Sequence, residues 1–155
     1  MSASAVLAAR IKEYLLDVER VVERIYQLQE KALQTGDDGY WDGVALNLHS
    51  FYSGIERIFE DIARSVDDTL PAGPDWHRNL LVQLSVPVPD RRPAVLQRET
   101  RMLLDEYRGF RHIVRNVYTF NFRPTRLKEL VDRLGDCFSL AKQDLLAFAD
   151  FLESL

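Results

Sequence analysis

The feature that most restricts how this chain can fold is where its helix breakers fall. Glycines number only seven and prolines six, and most of the prolines crowd between Pro71 and Pro93. Glycine weakens a helix through backbone entropy, and proline removes a donor and clashes with the preceding turn. The long stretches that lack both residues therefore favour helices. Within them the apolar residues recur every three to four positions, the spacing of one helical face. Val18, Val21, Val22, Ile25 and Leu28 do so in a first helix expected over residues 3–33. Leu48, Phe51, Tyr52, Ile55, Ile58, Phe59 and Ile62 do so in a second over 42–66.

A shorter helix is expected from Asp75, a suitable N-cap for "WHRNLLVQL". "SVPVPDRRP" is an extended connector, and Pro93 suits the first turn of a fourth helix. That helix carries "AVLQRETRMLLDEY", can bend at Gly109, and continues through "FRHIVRNVY". After the break at "TFNFRP", a last helix is expected over 125–152. No alternating strand flanked by hairpin signals interrupts the series. The expectation is an all-α, up-and-down bundle of four long helices and one short helix, in a single domain spanning 1–155.

Apolar residues make up 46% of the 155, enough for a core and too many for a disordered chain. No apolar run approaches the roughly 18 residues of a membrane span. "MSASAVLAARIKEYLL" reads as the start of the first helix and not as a signal peptide. The one cysteine, Cys137, lies on an apolar stripe, which suits a small core residue in a reducing compartment. A cytoplasmic location is expected.

The net charge of −4 is unevenly distributed. From Arg91 to Lys128, ten Lys and Arg stand against three acids, a net +7, while the remainder sets ten bases against 21 acids, a net −11. This is either the footprint of a polyanion site or a segment that pairs with the acidic helices around it.

Most site chemistries fail on motif. There is no Glu-x-x-His pair of the bundle metal type, no phosphate-binding P-loop and no dinucleotide-binding turn. Ser53 precedes a glycine but does not sit in a nucleophile elbow, and no recognition-helix or zinc-finger signature occurs. His49, His77 and His112 fall on three different elements and can share a metal only if the fold brings them together. Glu56 and Glu60 lie one turn apart, with Arg57 and Arg64 placed to pair with them at the surface. No cofactor is expected.

"FRHIVRNVYTF" (110–120) is the segment with chemical potential. On a wheel of about 100° per residue, Arg111, Arg115 and Tyr118 fall in one stripe, with His112 and Asn116 beside it. Phe110, Ile113, Val114, Val117 and Phe120 form the opposite, apolar face. Arginine offers a fork of donors that matches phosphate oxygens, and a nearby histidine can move a proton near neutral pH. The competing reading is an ordinary solvated face with a snorkelling tyrosine.

Five pieces in order, "LNLHSFYSGIERIFEDIA", "WHRNLL", "RRP", "EYRGFRHIVRNVYTFNF" and "RLKELVDRL", resemble the HepT-like ribonuclease toxins of the HEPN superfamily, from bacterial toxin–antitoxin systems. The family motif is an arginine, four to six residues, then a histidine, with a tyrosine often two residues later. The resemblance implies a helical homodimer and a metal-independent endoribonuclease acting at a composite cleft. It also implies a minimal nucleotidyltransferase antitoxin that attaches AMP to the motif tyrosine. Mapped onto this chain, the arginine is Arg111, the tyrosine is Tyr118, and the histidine position holds Asn116. An amide has no proton to exchange near pH 7. His112, one turn before Asn116, is a stand-in for the missing base, and Arg108, Arg111 and Arg115 are the phosphate-binding candidates. The alternative is a non-catalytic module that binds RNA or nucleotide, or a protein partner, through the same segment.

Overall fold

A computed structural model describes residues 2–116 and 123–155, without the side chains of Arg115 and Asn116. The helices are α1 (Ala3–Thr35), α2 (Gly39–Ile62), α3 (Trp76–Leu84), α4 (Arg98–Asn116) and α5 (Pro124–Glu153). Among the described residues there is no strand, only an isolated antiparallel bridge between Val88 and Arg92. The all-α bundle of four long helices and one short helix is therefore the fold, and most boundaries fall within a few residues of those read from the breakers.

Local chemistry accounts for the helix ends. Ser2 caps α1 by accepting the Ala5 N–H at 3.1 Å. Gly36 closes it in the left-handed region (φ 70°), where its N–H reaches the Ala32 carbonyl. Residues 36–38 turn the chain so that α2 returns antiparallel along α1. At Gly54 the two helices come so close that a Cβ would lie 3.1 Å from Val18 Cγ2. A wider π-type turn, Ala63–Asp67, ends α2.

The fourth helix departs from expectation. It begins at Arg98 and not at Pro93. Val95 and Leu96 are buried, and both of their N–H groups donate to the Leu84 carbonyl, at 2.8 and 3.0 Å. Residues 93–97 therefore finish the end of α3 before a helix can start. Gly109 leaves no break, and α4 runs through it.

The core lies between α1, α2, α4 and α5, with α3 laid across α2 and α4. Phe51 of α2 meets Tyr107 of α4 edge to face, with ring centroids 5.4 Å apart. The buried Tyr107 hydroxyl donates to the Leu130 carbonyl of α5 at 2.6 Å. Cys137 is buried as expected, and burial pushes its thiol up to about 12. No described helix is long and apolar enough to cross a membrane.

The connector after α3 is held by Arg92, whose side chain is fully enclosed. Its Nε and Nη2 donate to the two carboxylate oxygens of Asp67 at 2.7 and 2.8 Å. Nη1 donates to the Val86 and Pro93 carbonyls, and Nη2 also to that of Gln83. All five guanidinium donors are thereby matched.

Candidate functional site

The orientation of α4 decides what its polar residues can do. Thr100, Leu104, Tyr107 and Phe110 are buried and fix the inward face of the helix. On the wheel Thr100 and Leu104 fall about 20° to either side of Arg111, which therefore points along the edge of that face. Arg111 is consequently half-buried, and its Nε donates to Ser53 Oγ of α2 at 3.0 Å. Its terminal nitrogens donate to no other described residue. Ile113, assigned to the core-facing side from residues 110–120 alone, is 51% exposed instead. Arg108 lies one turn before Arg111 and donates from Nε to Asp105 Oδ1 at 2.7 Å.

Facing this stretch is the start of α3. Gly73, with φ 92°, turns the chain into it, and the Trp76 N–H reaches the Gly73 carbonyl. Asp75 occupies the N-cap position without a capping hydrogen bond from its side chain. Trp76 and His77 stack, with ring centroids 3.6 Å apart. His77 Nδ1 lies 2.8 Å from Oε2 of Glu56, a buried residue of α2 only 3% exposed. This overturns the expectation of a surface pair between Glu56 and Arg57 or Arg64. Glu56 borders the apolar face of α2 one turn after Tyr52, and α3 covers it. Arg57 instead lies over the Tyr14 ring, 4.9 Å from its centroid.

Between the two walls lies a groove of about 480 Å³, lined by residues 73–78 on one side and by Arg108, Arg111 and His112 on the other. With Arg78 it gathers three arginines and two histidines against one acid, Asp75. Asp105 offsets part of this charge through Arg108. Tyr52 is fully buried near Glu56, Arg108 and Arg111, and its hydroxyl has no hydrogen-bond partner among the described residues. Burial, helped by Glu56, pushes that hydroxyl well above the ordinary tyrosine range, so it stays neutral.

The structure thus brings Arg108, Arg111 and His112 together. Asn116 ends α4 and Arg115 sits in its last turn, but their side chains lie outside the described residues, as does all of Tyr118. His49 does not line the groove, and among the described residues no cluster of His, Cys, Asp or Glu is arranged to hold a metal. His77 and Glu56 are the residues that reading α4 in isolation missed. An acid bordering an apolar face was the signal for one of them, and only the packing of α3 reveals the other.

By architecture and charge this is an all-α bundle with a cationic groove suited to an anionic ligand. A family model for HepT-like protein matches residues 43–152, from the first turns of α2 to the end of α5, and the chain belongs to that family. No curated protein and no solved structure matches it.

Proposed function

We propose that this HepT-like protein is the toxin of a toxin–antitoxin pair, and that it binds RNA in the groove between α3 and α4 and cleaves it without a metal ion. The observation that supports this most is the setting of Arg111. Its Nε is tied to Ser53 while its terminal nitrogens stand in a groove with Arg78, Arg108 and His112. A guanidinium braced at one nitrogen, whose other two donate to no described residue, suits bidentate contact with a phosphodiester.

In this reading residues 1–155 act as one cytoplasmic domain and as a homodimer, with the grooves of two copies contributing to one cleft. A minimal nucleotidyltransferase silences the toxin by attaching AMP to Tyr118. Asn116 favours a second reading, a module that binds RNA without turnover, because an amide cannot serve as general base.

The deciding experiment is RNA cleavage in chelator by purified wild type and Arg111→Ala. Chelator-resistant cleavage lost in the variant supports the toxin reading, whereas wild-type protein that binds RNA without cleaving it supports the module. Equal RNA affinity for both proteins sinks the groove as the binding site. A monomer mass at micromolar concentration removes the composite cleft. An AMP mass gain that persists in Tyr118→Phe removes Tyr118 as the modified residue.

A further inference from the structure

We infer that His77 is the general base of this site and that Glu56 is its positioning residue, so that the proton transfer Asn116 cannot perform is supplied from α3. This rests on the ribonuclease reading above and names the group that makes it chemically complete.

Three observations converge on His77. It lines the groove that holds Arg108 and Arg111, on the opposite wall. Its Nδ1 is engaged by the Glu56 carboxylate at 2.8 Å. A carboxylate only accepts, so Nδ1 carries the hydrogen and the lone pair of the neutral ring is on Nε2. Trp76 stacks against the ring and limits its rotation. A histidine with one nitrogen held by a buried carboxylate and the other facing a groove is an arrangement that recurs where imidazole takes a proton from a hydroxyl.

The step balances without a co-reactant. With the phosphodiester on Arg111, Nε2 of His77 removes the ribose 2′-hydroxyl proton. O2′ attacks the adjacent phosphorus and the P–O5′ bond breaks. The departing O5′ takes a proton from solvent at the open groove, and the imidazolium later returns its proton to solvent. The products are a 2′,3′-cyclic phosphate and a free 5′-hydroxyl. The charged groups around the imidazole are Glu56 of α2, Arg108, Arg111 and His112 of α4, and Asp75 and Arg78 beside it at the start of α3.

The test is cleavage of a single-stranded RNA in chelator by wild type, His77→Gln, His77→Ala and His112→Gln, with RNA affinity measured in parallel. Glutamine can still donate to Glu56, so His77→Gln keeps the buried acid paired. Its cleavage is expected to fall about 10²–10⁴-fold with RNA affinity within a few-fold of wild type. Added imidazole is expected to restore cleavage to His77→Ala and not to Arg111→Ala. Glu56→Gln is expected to move the pH–rate profile, a readout that packing alone would leave in place. Wild-type cleavage retained by His77→Gln overturns this assignment while leaving the ribonuclease reading intact. Loss of cleavage matched by an equal loss of affinity, without imidazole rescue, makes His77 a binding or structural residue and also overturns it. No chelator-resistant cleavage by wild type overturns the ribonuclease reading, and this assignment with it.

Discussion

Arg92 and Arg111 belong to the same basic segment, yet the fold surrounds them in opposite ways. Around Arg92 every donor is matched, by the Asp67 carboxylate and three backbone carbonyls, and the side chain is closed off from solvent. Around Arg111, among the described residues, a single donor is matched, by a neutral serine hydroxyl, and the rest of the guanidinium stands in a groove. In the sequence both residues count simply as members of that segment. What separates them is how many donors the protein itself satisfies, and whether a carboxylate is among the partners. The internal-pairing reading of the basic segment holds for Arg92, whereas Arg111 faces a ligand-sized space.

Breaking each arginine should sharpen the contrast. The largest effect is expected from Arg92→Met, which leaves Asp67 buried without its charged partner and should cost about 3–5 kcal/mol of stability by urea unfolding. Arg111→Ala should do the reverse, lowering RNA affinity by about 1.5–3 kcal/mol while stability changes little. A variant that unfolds the protein instead would make Arg111 a second Arg92.

The acid partner gives a smaller, pH-dependent version of the same test. Burial works against the charge on Asp67, but hydrogen bonds from Arg92 and Gln83 outweigh it and hold the carboxyl below its ordinary value. The stabilisation is therefore fully present above the unfolded value near pH 4 (about 3.9) and is lost as pH falls through the lower folded value. Urea midpoints should fall more steeply below about pH 4 in wild type than in Asp67→Asn. Parallel curves would remove the pair as a source of stability. The smallest effect is expected from Ser53→Ala, which frees Arg111 Nε and should weaken RNA binding by about 0.5–1.5 kcal/mol.

Local patterns in the sequence located the helices well, because the breakers and the three-to-four spacing act within a few residues. They failed where a distant residue set the outcome. Pro93 suits a helix start, but the burial of Val95 and Leu96 against the end of α3 delays the helix to Arg98. The wheel of residues 110–120 pointed Ile113 inward, because Leu104 and Tyr107, which actually orient α4, lie outside that window. Arg111 and its neighbours on the groove were legible as a stripe on one helix. The pairing of Glu56 with His77 was not, since it joins residues 21 positions apart across a loop that carries no periodic signal.

The stacking of Trp76 on His77 also has an optical consequence. A protonated imidazole quenches the emission of an indole it touches, and the other tryptophan, Trp41, is buried in the core away from the groove. Trp76 emission therefore follows whether the His77 ring carries one hydrogen or two. The protein brings its own fluorophore to the site, and a pH titration in a cuvette, with and without an RNA strand, reads His77 without any label.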